Sequence, residues 1–184
     1  MQGEPSDEAL MQQAQADDRE AYATLFVRHR GTLTAFLTRF LGNYTMAEDV
    51  AQETFLVLWQ ERARFQPKRR FKVWLYVAAR NRANNALRGK HSLPLDESLV
   101  APGSLAETSE RTLLQETVQA ALLALPEAQR LAIVLTVYEG FSYREAAQTI
   151  GCTEVSARVS AHRARLALHK RLAFLKETGY EIAG

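Results

Sequence analysis

Apolar residues in this chain recur three or four apart, and no stretch alternates with the period of two that a half-buried strand requires. The pattern predicts helices throughout. After a loose tail over residues 1–6, a short helix begins near Asp7 with Ser6 as its cap. A longer helix covers about Asp18 to Leu41 and stops at Gly42-Asn43. Thr45-Met46-Ala47-Glu48 has the spacing of a capping box and predicts the start of a third helix, running to about Arg64 with Ala47, Ala51, Phe55, Leu58 and Trp59 on one side. A loop from Phe65 to Arg70 leads to a fourth helix over about Phe71 to Arg88, ended by Gly89.

From Ser92 to about Ala106 the periodicity disappears and Pro94, Pro102 and Gly103 interrupt the chain, as in a flexible interdomain linker. Beyond it a helix is expected from about Glu107 to Ala124. Pro126 then fits the first turn of the next helix, where a backbone amide has no intrahelical use. That helix ends near Gly140. Ser142-Tyr143-Arg144-Glu145 forms a second capping box opening a short helix to Ile150, Gly151 makes a turn, and Thr153 can cap a last helix to about Lys176. A short helix, a glycine turn and a longer basic helix make a helix-turn-helix. The expected fold is all-α, with two small helical domains over residues 7–91 and 111–178, a linker over 92–110 and a tail over 179–184.

The 184 residues carry 23 Lys and Arg against 21 Asp and Glu, which is close to balance. Their distribution is not balanced. From Arg62 to Lys90 there are ten basic residues and no carboxylate, whereas residues 92–110 hold four carboxylates and no base. A second basic run near the end contains Arg158, Arg163, Arg165, Lys170, Arg171 and Lys176. Two separated basic patches point to two contacts with a polyanion. The longest apolar run, Val73 to Ala79, is far too short to span a membrane. One cysteine and four scattered histidines offer neither an internal disulfide nor a common zinc framework. A cytoplasmic chain without metal or cofactor is the expectation.

The chemistry concentrates on two helices. In the fourth, Val77, Asn81, Asn84, Asn85 and Arg88 share one face. Asn is a mediocre helix former, so three on one stripe call for a reason; an Asn can donate to and accept from the edge of an unpaired base. Trp74 reads as core, and Tyr76 is ambiguous. In the last helix Ala157, Ala161, Ala164, Leu168, Leu172 and Leu175 form the expected buried stripe. That leaves Val159, His162 and Arg163 on the opposite side with Arg158 beside them, against a shorter competing stripe of Val155, Val159 and Leu166. Cys152 is expected to be a small buried residue of the turn. Asp49, Gln52 and Glu53 share a face of the third helix.

Taken together, these segments resemble the extracytoplasmic-function (ECF) sigma factors, two-domain promoter-recognition subunits of bacterial RNA polymerase, from about Asp7 to Leu175. Ala47-Glu48-Asp49-Val50-Ala51-Gln52-Glu53-Thr54-Phe55 with Leu58-Trp59 resembles the family's polymerase-binding helix. Trp74-Leu75, Ala79-Arg80-Asn81 and Arg88 resemble its promoter-melting helix. In the second domain the similarity lies in Leu125-Pro126-Glu127, Arg130, Glu139-Gly140, Ser142-Tyr143, Glu145-Ala146-Ala147 and Arg163-Ala164-Arg165. Where the family usually carries Thr-Val-Lys-Ser-Arg, this chain reads Ser156-Ala157-Arg158-Val159-Ser160; Asn85 stands where Asp is common, and the loop at Lys68 to Arg70 lacks a frequent Gly. Promoter sequence preference therefore does not transfer.

The resemblance implies that Asp49, Gln52, Glu53 and Leu56 dock on the clamp helices of the largest polymerase subunit. It implies a flipped base of the minus-ten non-template strand held between Asn81, Asn85 and the loop carrying Phe65, with Asn84 on the same stripe and Lys68, Arg69, Arg70, Lys72 and Arg88 on phosphates. Stacking on an aromatic contributes about 1–3 kcal/mol per base, comparable with the cost of extruding it. At the minus-thirty-five element Arg158 and Arg163 would contact guanine edges or phosphates, His162 would donate or accept, Val159 would touch a thymine methyl, and Arg144, Thr153 and Ser156 would hold a phosphate. Expected partners are core RNA polymerase, promoter DNA and an anti-sigma factor, in this family often membrane-bound, with no small-molecule substrate. Two other readings compete: a stand-alone helix-turn-helix regulator, and a metal-dependent nuclease built on Glu48, Asp49 and Glu53.

Overall fold

The structure, a computed structural model, describes residues 4–66, 68, 70–91 and 110–177. The proposed linker up to residue 109 and the tail over 179–184 lie outside the described residues. Among those described, the regular elements are all helical.

Local capping chemistry starts most of them. Helix α1 (Asp7–Gln15) begins where Ser6 Oγ accepts from the Ala9 amide, and α2 (Arg19–Leu41) where the Asp18 carboxylate accepts from the Glu20 and Ala21 amides. Gly42, at φ +74°, closes α2 in the left-handed conformation that favours glycine. Helix α3 (Tyr44–Gln60) differs from expectation at its start. Asn43, not Thr45, is the cap, its side chain accepting from the Met46 amide at 2.8 Å. The chain leaves Gly42 directly into an extended Asn43, which places Thr45 and Glu48 inside the helix rather than in a capping box. A short 3-10 turn, Arg62–Arg64, replaces the last turn expected for this helix.

Helix α4 (Phe71–His91) takes its first cap from outside the segment, since the Phe71 amide donates to Glu8 Oε1 of α1 at 3.0 Å. It continues through Gly89 instead of ending there. A helical glycine costs about 1 kcal/mol relative to alanine without forcing a stop. Phe36, Leu37 and Phe40 of α2, Phe55 and Leu58 of α3, and Leu75, Tyr76 and Ala79 of α4 form the centre of the first domain, all almost fully buried. Large side chains buried this completely contribute about 1.5–3 kcal/mol each.

The second domain comprises α5 (Glu110–Leu123), α6 (Glu127–Ile133), a π-helical turn (Val134–Tyr138), α7 (Tyr143–Ile150), α8 (Glu154–Arg171) and α9 (Ala173–Glu177). Pro126 sits just outside α6 as its cap rather than within the first turn. The expected capping box of Ser142 and Glu145 is formed, Gly151 takes φ +78°, and Thr153 accepts from the Ser156 amide. Ala157, Ala161 and Ala164 are buried as the periodicity predicts. The last helix breaks at Leu172, and the break turns both Leu172 and Leu175 onto Ala121 of α5.

The apolar core does not stop at the domain boundary. Tyr76 lies between Phe36 of its own domain and Phe141 of the other, with ring centroids 4.9 and 5.0 Å away. Helix α7 lies against α4, and α5 against α2. The turn at Gly42 is so close to α5 that a Cβ there would fall 2.5 Å from Leu123 Cδ1.

Candidate nucleic-acid interface

Three surfaces carry the residues singled out by the sequence. On α3, Asp49, Gln52, Glu53 and Leu56 are exposed along one side of the helix, and Leu56 is 65% accessible. Glu53 is partly neutralised by Arg82, which reaches across from α4 to 3.4 Å. Beside this row a groove of about 870 Å³ runs between α2, α3 and α5, floored by Phe26, Phe55 and Leu122 and edged by Glu48 and Gln52.

Helix α4 presents the second surface. Asn81, Asn85 and Arg88 are exposed, and Arg88 donates to Asn85 Oδ1 at 3.0 Å. Asn84 is half-buried and donates to Glu127 of the second domain at 3.3 Å, with its own Oδ1 buried and without a partner among the described residues. Lys68 is exposed; Arg69 lies outside the described residues. Arg70 is ion-paired with Glu145. Lys72 donates to the Glu139 carbonyl at 2.6 Å while lying over the Phe141 ring.

Phe65 departs from the sequence expectation. It is 3% exposed and packs against Phe71 and Trp74, at 6.3 and 5.3 Å between ring centroids, so it offers no free face to a base in this arrangement. Gln15 draws the loop inward by donating to the Arg62 and Phe65 carbonyls, both at 2.9 Å. Sequence periodicity does not register such a contact from a distant helix. Tyr76, ambiguous in sequence, is wholly buried.

The third surface is the outer side of α8. Arg144, Thr153, Ser156, Arg158, Val159, His162 and Arg163 are all exposed. The competing stripe of Val155, Val159 and Leu166 is exposed as well, so it is the alanine stripe that packs inward. Arg158 pairs with Glu154 at 3.2 Å and lies over the Tyr143 ring at 5.3 Å, and Thr153 Oγ donates to Ser156 Oγ at 2.9 Å. Cys152 is exposed rather than buried, because the αL turn at Gly151 directs the chain outward before α8 begins.

Three carboxylates that the promoter-contact reading passed over are spaced along the line where the domains meet. Glu139 is only 9% exposed; its Oε2 accepts from the Tyr76 hydroxyl at 2.5 Å, and its Oε1 lies 4.0 Å from Arg39. Burial and the adjacent Glu139 charge push the Tyr76 phenol far above its ordinary range. Burial would raise the Glu145 carboxyl, but hydrogen bonds from the Ser142 amide and hydroxyl and the Arg70 guanidinium outweigh it and hold this group below its ordinary value. Glu127 completes the set through Asn84. A carboxylate directly after the largely apolar segment Leu131–Tyr138, broken only by Thr136, is the sequence signal that marks Glu139.

Residues 25–92 match the Sigma-70 region 2 family and residues 115–168 match Sigma-70, region 4. The chain is 35% identical over 150 residues to RNA polymerase sigma factor CarQ of Myxococcus xanthus, covering 79% of this chain and 85% of that protein. It is 30% identical over 180 residues to the RNA polymerase sigma-H factor of Pseudomonas aeruginosa, covering 90% and 93%. Among solved structures, CnrH in complex with the cytosolic domain of CnrY is 26% identical with a TM-score of 0.72, covering 96% of this chain and 100% of that one. These relationships disfavour both the stand-alone regulator and the nuclease. With its two matched regions in family order on an all-helical frame, the chain belongs to the ECF sigma factors, DNA-binding transcription-initiation subunits that work with core RNA polymerase and are not enzymes.

Proposed function

We propose that the exposed row Asp49, Gln52, Glu53 and Leu56 docks on core polymerase, that Asn81 and Asn85 with Lys68, Arg70 and Arg88 hold the melted minus-ten strand, and that α8 enters the duplex at the minus-thirty-five element. Arg144, Thr153 and Ser156 hold phosphate there, and Arg158, Val159, His162 and Arg163 face the bases. The observation that carries the reading is the exposure of all three rows, on three different helices of a family member. A leucine open to solvent one turn beyond two exposed carboxylates is suited to an interface core with a charged rim. Asn84, on the same stripe as Asn81 and Asn85, joins the strand site once Glu127 releases it.

An anti-sigma factor holds the chain inactive by covering the polymerase-binding row. CnrH, a structural neighbour, is seen with the cytosolic domain of a partner, and the groove beside Glu48 and Gln52 offers apolar area next to that row. No helix among the described residues is long and apolar enough to cross a membrane, so a hold at the membrane face would depend on the partner's anchor. Run-off transcription with purified core and genomic fragments tests the whole reading. Promoter-specific transcripts that require the added chain are expected; no transcript from any fragment, together with no binding to core, would overturn it.

A further inference from the structure

Helix α1 grips both ends of the segment that leads into α4, and it does so mainly through backbone groups. At the entry, Gln15 Nε2 donates to the Arg62 and Phe65 carbonyls, both at 2.9 Å. Asp17, just past the end of α1, is ion-paired with Arg62, whose guanidinium also donates to the Trp59 carbonyl at 2.8 Å and lies 4.2 Å over the Trp59 ring. At the exit, Glu8 Oε1 accepts from the Phe71 amide at 3.0 Å. Helix α1 is itself fastened at that end: Asp7 accepts from Arg28 at 2.6 Å and meets His29 Nε2 at 2.7 Å, and the His29 ring lies 5.4 Å from that of Phe71. Asp17 holds φ +68°, the one positive φ outside glycine among the described residues, a conformation that costs free energy for a residue with a Cβ. The turn from α1 to α2 therefore accepts backbone strain at the residue that grips Arg62.

We propose that Gln15 is a specificity-setting positioning residue for the minus-ten contact: from α1 it fixes the backbone at Phe65, while Glu8 fixes the start of α4, and the strand meets Asn81 and Asn85 beside a segment held at both ends. The proposal rests on the reading of α4 as the strand site. Gln15 is half-buried and spends its amide on two carbonyls, so it acts through the backbone and not on a base. Bonds to carbonyls fix the path of the chain whatever side chains it carries. The same contact gives Phe65 a role that its burial denies it as a stacking platform. Its ring, 3% exposed between Phe71 and Trp74, anchors the segment from one side, and Gln15 holds its carbonyl from the other. Lys68 is exposed beyond this anchor. Discrimination among bases needs the groups around the base held to within about 0.5 Å, which a segment tethered only by its own chain does not provide. Loosening the anchor therefore costs selectivity before it costs attraction, because the cations and asparagines of α4 remain in place.

The test uses the full chain bound to core polymerase and fluorescein-labelled single strands carrying the minus-ten sequence of a promoter found by run-off transcription, with each position replaced in turn by the other three bases. Anisotropy gives the ratio of affinities between the preferred base and its replacements. Gln15→Leu, which keeps the bulk and removes both donors, is expected to compress that ratio by about three- to tenfold at one or more positions, the effect of losing one or two hydrogen bonds. Gln15→Lys restores donors at the same point and should restore the ratio. Gln12→Leu, at an exposed position of the same helix, should change nothing, and binding of a minus-thirty-five duplex should be unaffected in all three. Asp17→Asn tolerates the same backbone conformation, removes the charge that holds Arg62, and carries the test if Gln15→Leu does not fold. Equal weakening for every strand, with the ratios unchanged, would make Gln15 a folding residue and overturn the proposal, as would unchanged ratios and affinities in the folded variants. Asn81→Ala tells this failure from that of the strand site: if it weakens strand binding while Gln15→Leu leaves the ratios intact, the site stands and the positioning role falls, and if it has no effect, both fall.

Discussion

The Arg158 guanidinium lies 5.3 Å over the Tyr143 ring and 3.2 Å from the Glu154 carboxylate, so a residue of α7 and a residue of the first turn of α8 together steer one cation of the outer row. A guanidinium held by an aromatic face and a carboxylate loses less freedom on meeting a guanine edge than one free in solvent. Arg158→Ala is expected to weaken duplex binding by about 1–3 kcal/mol and to flatten the preference at one base pair. Tyr143→Leu should cost less, about 0.5–1 kcal/mol, because it removes only the steering contact. Binding measured across single-base variants of a promoter duplex separates the two: uniform weakening for Arg158→Ala would make it a phosphate contact.

The polymerase row predicts a loss of association without a loss of fold. Asp49 and Gln52 are exposed, so Asp49→Ala with Gln52→Ala should leave unfolding free energy within about 0.5 kcal/mol. Affinity for core should fall by about fivefold or more, the effect of losing over about 1 kcal/mol at an interface. Equilibrium binding to labelled core, beside a thermal melt, checks both halves.

Asn81→Ala should impair strand opening more than duplex binding. Its side chain is exposed, so no large folding penalty is expected. Fluorescence of a base analogue at the minus-ten position reports opening, and equal losses of opening and duplex binding would remove Asn81 from the strand site.

Alkali supplies a test of the buried hydroxyls. Of six tyrosines, burial raises Tyr22 and Tyr76 far above their ordinary value of 10.0, and the Glu139 charge adds to the rise at Tyr76. A phenol raised in the folded chain contributes stability that is complete below its unfolded value and is lost as pH rises past it. Absorbance titration should therefore show two phenols resisting ionisation until the chain unfolds, and only one in Tyr76→Phe.

At the helix-turn-helix corner, Gly151 holds φ +78°, and a Cβ there would meet only Arg80 Nη1 at an ordinary 3.7 Å. Gly151→Ala should thus express backbone strain alone, about 1–2 kcal/mol. Denaturant unfolding should show a lower midpoint at unchanged slope.

Much of this architecture is legible in short windows. Ser6, Asp18, Ser142 with Glu145, and Thr153 cap helices where their side chains reach amides two or three residues on, and the alanine stripe of α8 is readable from spacing alone. The local reading fails where two signals compete nearby, as when Asn43 pre-empts Thr45, or where the deciding partner is remote. Gln15 pulling the Phe65 loop inward is such a case, and so is Glu8 capping α4 from across the domain.

The order of amphipathic segments, their caps and the concentration of base on the fourth and last helices were decided by the chain itself, because helix formation and charge depend on neighbours a few residues apart. That Tyr76 would be buried against Phe141, that Glu139 would meet it, and that Arg70 and Lys72 would be engaged by the second domain were decided only in three dimensions. Residues more than sixty positions apart meet there through the packing of whole helices, and burial is a property of that packing rather than of any segment.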